Sequence, residues 1–511
     1  MQVLFQSSSE GSVPGLGIIP SKIDVFSNKD KSVPHMGWNS VHLLDAQHNT
    51  DEGLDEALHY YFVHSYRATY DPERDPDAAQ WVHSVTQYGQ EVFVSTVCKD
   101  NVFGCQFHPE KSGDAGLRLL NIWLRQPSTQ RRPVSAPRVP FPPRPRDGLT
   151  KRIVACMDVR ANDQGDLVVT KGDQYDVREK HPSLTAAAST VFPSTSSPTL
   201  TVSATVAGAV RNLGKPVALA ARYYAAGADE LTLLNITSFR HSPLRDQPML
   251  AVVRAAAATV FVPLTIGGGI RDTVDPDGTP RPALEVAGAY FRAGADKVSI
   301  GSEAVYVVER LRATATAATS ASITDGKGGC GGGDGSSAIE TIARAYGRQA
   351  VVVSIDPRRV YIDDASTYDG PRRDELILGS GDEEGKSWWY QCTVSGGREA
   401  RDLSVVELAR GVEMLGAGEI LLNSIDRDGT GRGFDLDLVN LVRRNVSIPI
   451  VASSGAGHVE HFVDVFEKTG VEAALAAGIF HRGEIQIDDV KEALKARGIN
   501  ARKTGLKNVE Q

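Results

Sequence analysis

Two sets of residues in this chain have types and spacings suited to chemistry. The first is Gln106-Phe107-His108-Pro109-Glu110-Lys111-Ser112. His108 and Glu110 alternate along what reads as an extended segment, which places both side chains on one side. A carboxylate that orients an imidazole is the base half of a nucleophilic triad. The second set is a pair of aspartates in matched settings, Asp158 in Ala155-Cys156-Met157-Asp158-Val159 and Asp356 in Val353-Ser354-Ile355-Asp356-Pro357. Two carboxylates facing one cavity can divide acid and base work when their surroundings separate their pKa values. Either aspartate alone fits an ordinary strand-end cap. The matched pair favours catalysis.

The elements that must hold these residues follow from the hydrophobic pattern. From residue 150 onward, short β-branched runs alternate with helical stretches. The runs at 152–159, 230–236, 261–266, 297–300, 350–355, 419–424, 448–452 and 473–477 predict eight parallel strands. Helices at 218–226, 283–293, 339–346, 404–415 and 460–468 lie between them. The fold class is therefore α/β, and eight such units predict a (β/α)₈ TIM barrel. A repeat supports this. The stretch AGADELTLLNI at 226–236 matches LGAGEILLNSI at 415–425, and VPLTIGGG at 262–269 matches IPIVASSG at 448–455. Two half-barrels put Asp158 and Asp356 at equivalent ends of the first and fifth strands, facing across the barrel mouth.

Glycine-rich strand ends give a second clue to the substrate. Gly267-Gly268-Gly269 with Ser299-Ile300-Gly301-Ser302 offers backbone N–H groups near helix starts. Ser454-Gly455-Ala456-Gly457 with Ala476-Ala477-Gly478 repeats the arrangement. Free amides there suit phosphate. One glycine run means no more than a tight turn. Two symmetric pairs imply a substrate with a phosphate at each end.

The remaining segments divide the chain into a first domain at 1–125, a Pro/Arg-rich linker at 126–149, and the barrel at 150–511. Such a linker builds no core and reads as a semi-rigid tether. Stretches near 182–208 and 314–337 are low-complexity insertions expected to be disordered, and 361–386 is acidic and irregular. The chain carries 55 Lys and Arg against 63 Asp and Glu, a net charge of -8. That balance argues against non-specific nucleic-acid binding. The five cysteines form no CxxC pair, which reads as reduced thiols, and Cys330 in a glycine run as a bystander. No apolar run approaches the roughly 20 residues that span a bilayer, so no membrane partner is expected.

At this level the barrel resembles the cyclase part of the imidazole glycerol phosphate synthases of histidine biosynthesis. The motifs are CMDV, VVTKGDQYD, GADELTLLNIT, LTIGGGIRD, GADKVSIGSEAV, AVVVSIDPRR, CTVSGGRE, GAGEILLNSIDRDGTGRGFD, IVASSGAG and ALAAGIFH. The resemblance implies ammonia attack on PRFAR (phosphoribulosyl-formimino aminoimidazole carboxamide ribonucleotide), yielding imidazole glycerol phosphate and AICAR. It makes Asp158 and Asp356 the acid/base pair and Lys171 a mobile-loop residue near the substrate. Asp426 and Asp428 fall in the family's active-site loop, and Gly269, Ser302, Gly455 and Gly478 on phosphate-contacting positions. Arg152, Glu230, Lys297 and Glu419 fall on a ring of charges where ammonia enters. A structural ion-pair cluster accounts for the same residues. No metal or organic cofactor is implied.

The first domain resembles class I glutamine amidotransferases through FHPEKS, and their histidine-pathway branch through VPHMGWN and YFVHSYR. The resemblance gives His108 and Glu110 catalytic roles and makes Gln2, Ser65 and Tyr66 glutamine contacts. It also pairs Lys111 with Asp296 between domains. In that family a Cys-Leu-Gly-Met/Leu-Gln turn carries the nucleophile, and Met1-Gln2 correspond to its last two residues. None of the five cysteines stands in such a turn, Cys105 lying instead in a strand. The expectation is an incomplete amidotransferase domain whose upstream part carries the nucleophile, leaving these residues able to cyclise with ammonia but not to hydrolyse glutamine. Two other readings stand beside it: a sister half-barrel isomerase of the same pathway, and a non-catalytic or regulatory remnant. The resemblance to the plant and fungal fusion places the protein in the plastid stroma if its source is photosynthetic, and otherwise in the cytoplasm.

Overall fold

The computed structural model describes residues 1–44, 53–125, 139–161, 167–170, 214–236, 247–275, 277–317 and 333–503. Lys171, Cys330, the 182–208 insertion and most of the second insertion lie outside them.

Eight parallel strands close on themselves in the second half of the chain. They are Arg152–Ala161, Glu230–Asn235, Leu264–Gly267, Lys297–Ile300, Val351–Ile355, Glu419–Asn423, Ile450–Ser453 and Ala473–Ala476. Each pairs with the next, and Ala473–Ala476 pairs back with Arg152–Ala161, which makes the sheet a barrel. All eight predicted strands are present. Alternation along each strand sorts the side chains. Ile153, Ala155, Met157, Leu231, Leu233, Val351, Val353 and Ile355 face outward into one large core shared with the helices. Val154, Cys156, Val352, Leu421, Val451, Ala473 and Leu475 form a separate cluster that fills the lumen.

The helices begin and end where local chemistry directs. Ser404 caps Val405–Leu415 and Ser337 caps Ala338–Tyr346, each in a reciprocal box with the Glu three residues on. Gly294 and Gly416 end their helices in the left-handed conformation that a Cβ disfavours. The acidic stretch after the fifth strand contains more structure than its sequence pattern predicts. Pro357–Ile362, Ile377–Leu378, Ser387–Val394 and Glu399–Ser404 form a small antiparallel sheet beside the barrel. Its irregular middle follows from short 3-10 turns at Arg373–Glu375 and Gly381–Glu383.

The described first domain is built from strands, a short helix at Pro76–Ala79 and the amphipathic helix Gly113–Arg125. Phe5–Ser8 pairs parallel with Ile19–Val25, and Val82–Tyr88 pairs antiparallel with Glu91–Lys99. His35–Ser40 and His59–His64 form a separate, buried antiparallel pair. The described part of the linker is held against this domain. Tyr70 donates to the Val139 carbonyl at 2.9 Å, and Gln87 both donates to and accepts from the Arg144 backbone. Phe141 stacks on His42.

The two domains meet at the amino-terminal end of the barrel. Trp38 is fully buried, donates its indole N–H to the Asp229 carbonyl, and stacks under the Arg502 guanidinium. The expected Lys111–Asp296 contact is an ion pair at 2.8 Å. Burial raises the Asp296 carboxyl, and Lys111 only partly offsets this. Lys111→Met should therefore cost about 1–3 kcal/mol where Asp296 is ionised. Because the loss requires the charged carboxylate, thermal unfolding should show it at pH 8 and not at pH 4. An equal loss at both would refute the pairing as its cause.

Candidate functional site

Asp158 and Asp356 occupy the carboxyl ends of the first and fifth of eight strands, so the closed barrel sets them on opposite walls of its mouth. Active sites of this fold sit at that end. Their neighbours differ. In register, Asp158 stands beside Leu234, whereas Asp356 follows Ile355, whose partner Leu422 precedes Asn423. Asn423 donates its amide to Asp356 Oδ1 at 3.2 Å, and its own oxygen takes hydroxyl bonds from Ser453 and Ser454. Burial raises the Asp356 carboxyl to about 6, Asn423 pulls it down somewhat, and the nearby Asp428 carboxylate pushes it up. A carboxyl there exists in both protonation states near neutrality, which suits acid–base work.

The glycine-rich ends surround this pair. Gly268 and Gly269 hold left-handed backbones, and a Cβ on Gly267 would strike Leu234. Gly455 is also left-handed, and a Cβ there would lie 2.2 Å from the Gly433 carbonyl. Only glycine fits this turn. Ser302 starts the helix Ser302–Ala317, and its hydroxyl accepts from the Ser395 N–H at 2.9 Å. Gly478 begins the short helix Gly478–His481. Asp426 is exposed and accepts the Arg359 N–H at 2.8 Å, so it holds its loop to the fifth-strand hairpin.

At the other end of the barrel, Arg152, Glu230, Lys297 and Glu419 form a closed ring. Arg152 bonds Glu230 at 2.8 Å and Glu419 at 2.7 Å, and Lys297 bonds the same two at 2.8 and 2.6 Å. All four are buried. Burial alone would raise the Glu230 carboxyl, but Arg152 and Lys297 outweigh it and hold it at about 2. Two first-domain side chains cap the ring: Tyr61 reaches Glu230 at 3.3 Å, and the Met36 sulfur lies 3.5 Å from Lys297 Nζ. The lumen between ring and aspartates is the apolar cluster containing Val154, Cys156 and Leu421.

In the first domain His108 Nδ1 and Glu110 Oε1 are 2.9 Å apart. The reason differs from the expected alternation. His108 is the cap of a 3-10 turn, Pro109–Lys111, and Glu110 comes back to it within that turn. Burial would raise the Glu110 carboxyl, but its bond to His108 holds it low. Gln2 donates to the Tyr66 carbonyl and to Gln106, which brings it to Tyr66. Ser65 Oγ is buried without a hydrogen-bond partner. Cys105 ends the strand Val102–Cys105, where burial pushes its thiol to about 12.

Comparison with known proteins agrees with both halves. The family model for histidine biosynthesis proteins matches residues 152–326 and 333–486, and that for class-I glutamine amidotransferases matches 1–124. The imidazole glycerol phosphate synthase hisHF of Emericella nidulans is 48% identical over 511 residues, covering 98% of this chain and 84% of that protein.

The chain belongs to the imidazole glycerol phosphate synthase family. Its Schizosaccharomyces pombe and Arabidopsis thaliana relatives are each 47% identical over 98% of this chain, covering 85% and 76% of their own lengths. The Arabidopsis synthase is named as chloroplastic. Among the described residues of this family member, no helix is long and apolar enough to cross a membrane. Sequence reasoning about the synthase missed Asn423, although it lies inside the quoted LLNSIDRDG motif. The half-barrel repeat could have exposed it, because aligning Glu230 with Glu419 sets Leu234 against Asn423.

Proposed function

We propose that the barrel cyclises PRFAR with ammonia to imidazole glycerol phosphate and AICAR, and that the first domain supplies the His108–Glu110 base half of a glutamine-hydrolysing site. The observation that carries the reading is the opposed Asp158 and Asp356 at the mouth, with a buried charged ring beneath them. One carboxyl donates a proton to the departing group while the other accepts the proton released as ammonia bonds to carbon. Asp356 suits either task because both of its forms are populated near neutrality. The two glycine-lined ends, at Gly269 with Ser302 and at Gly455 with Gly478, would take the two phosphates through backbone N–H groups. By the resemblance Lys171 would contact the substrate, and Asp428 would work beside Asp356.

The ring of Arg152, Glu230, Lys297 and Glu419 would be the entrance for ammonia into the apolar lumen. Neutral ammonia crosses such a lining far more easily than ammonium, whose charge would lose its hydration. On the glutamine side, His108 and Glu110 would serve as base and orienting acid, with Gln2, Ser65 and Tyr66 around the substrate. The chloroplastic name of the Arabidopsis relative supports the plastid for a photosynthetic source, with the cytoplasm the reading for any other source.

The deciding experiment is turnover of PRFAR by the chain, with saturating ammonium salt against glutamine. Imidazole glycerol phosphate formed with ammonium supports the barrel assignment, and no product under either condition would refute it. Cys105→Ser is expected to leave both rates unchanged, because a thiol held near 12 is protonated and unreactive at neutral pH. Loss of glutamine-driven turnover in that variant would make Cys105 the nucleophile.

A further inference from the structure

The acidic stretch between the fifth and sixth strands has no place in the function proposed above. It nevertheless sends one carboxylate inward. Glu383, at the end of the 3-10 turn Gly381–Glu383, bonds Arg359 Nη1 at 2.6 Å and Arg427 Nη2 at 3.2 Å. Its neighbours Asp382 and Glu384 are exposed.

Arg359 is the centre of a buried knot. Its guanidinium stacks 4.1 Å over the Trp388 ring and pairs with Asp435 at 3.0 Å. Asp435 in turn accepts from Tyr390, Ser424 and the Leu438 N–H, which starts the next helix. The Arg359 backbone N–H binds Asp426, and the Ile425 N–H binds the Pro357 carbonyl. Both ends of the 424–435 loop are thus tied to one hairpin. The far side of that loop touches the glycine turn after the seventh strand: Gly433 N–H bonds the Gly455 carbonyl at 2.8 Å, and a Cβ on Gly455 would also crowd Arg427 Cβ.

We propose that Glu383 is a positioning residue for cyclisation: by joining Arg359 to Arg427 it fixes the 424–435 loop, and with it the places of Asp428 and of the Gly455 turn. This role rests on the proposed cyclase reaction. The division of labour within the knot is physical. Asp435 and Arg359 are buried and hold the hairpin together, and Arg359 keeps its Asp435 partner when Glu383, 20% exposed, is removed. Its effect is to restrain Arg427, one residue from Asp428, and small displacements of reacting groups cost large factors in rate.

The test uses the full chain with ammonium and PRFAR, comparing Glu383→Ala, Glu383→Gln and the exposed control Glu384→Gln. Glu383→Ala should lower kcat about tenfold or more, and raise KM for PRFAR through the displaced glycine turn. The acid limb of its kcat profile should move to lower pH as Asp428 drifts from Asp356. Burial, Asn423 and Asp428 act on the Asp356 carboxyl behind that limb, and the buried Cys392 thiol is near enough to be raised by its charge. Glu383→Gln should recover most of kcat, because its amide oxygen still accepts from one guanidinium. Unchanged kcat and acid limb in Glu383→Ala would overturn the proposal. So would a lower melting temperature whose rate loss disappears after correction for folded fraction. Wild type and Glu384→Gln both failing to turn over PRFAR would instead overturn the cyclase reading, and this role with it.

Discussion

Asp356→Asn is expected to lower ammonium-driven turnover of PRFAR by about 10²–10⁴-fold, the usual contribution of a positioned acid or base. The same variant should melt at a higher temperature than wild type at pH 7–8. The sign follows from linkage. Burial and the Asp428 carboxylate raise Asp356 from an ordinary 3.8 to about 6 in the folded protein. Its charged form is therefore disfavoured by folding. Whatever stability the protonated carboxyl supports is present below pH 4 and lost as pH rises through 6. An amide never takes the charge, and Asn423 can still bond its oxygen. Catalytic loss with gained stability is the mark of a residue kept for chemistry. Activity assays and differential scanning calorimetry on one preparation would check both. A variant that kept its rate, or lost rate and stability together, would remove Asp356 from the acid–base role.

Lys297→Met should have the largest effect on stability, about 3–5 kcal/mol, because it leaves Glu230 and Glu419 buried with one cation between them. Denaturant unfolding would measure it. The pH dependence gives a second check. Glu230 is held at about 2 by Arg152 and Lys297, so its contribution is present above the unfolded value near 4.5 and lost as pH falls towards 2. Removing Lys297 shortens that window, and acid unfolding should begin at higher pH. If the ring is also the ammonia entrance, the variant's folded fraction should keep its rate with external ammonium and alter only delivery from the first domain. A loss near zero would mean that water reaches the ring and hydrates both carboxylates.

Much of the fold was legible because its signals are local. Short β-branched runs marked all eight barrel strands, and the ends moved by only a few residues, as at Leu264–Gly267 against 261–266. The hairpin sheet after the fifth strand was less legible. Its strands are separated by a long acidic stretch and are joined by pairs such as Pro357 with Cys392, which no short window contains. His108 and Glu110 were correctly grouped by type and spacing. The turn that joins them was not foreseen, because a proline-initiated 3-10 turn and an extended run can bring residues two apart into contact alike.

By itself the sequence determined which residue types were available and roughly where along each element they stand: two aspartates at strand ends, glycines after strands, and four charges at strand starts. The tertiary structure alone decided how they pair. Arg152 meets Glu419 across 267 residues, and Arg359 meets Asp435 across 76. Only barrel closure and a returning hairpin bring such residues within reach. It also decided what distinguishes the two aspartates, since the repeat makes them alike while the neighbouring strands supply Leu234 to one and Asn423 to the other. The physical reason is that burial and electrostatics depend on distance in space, and a protonation state belongs to the assembled pocket rather than to the residue.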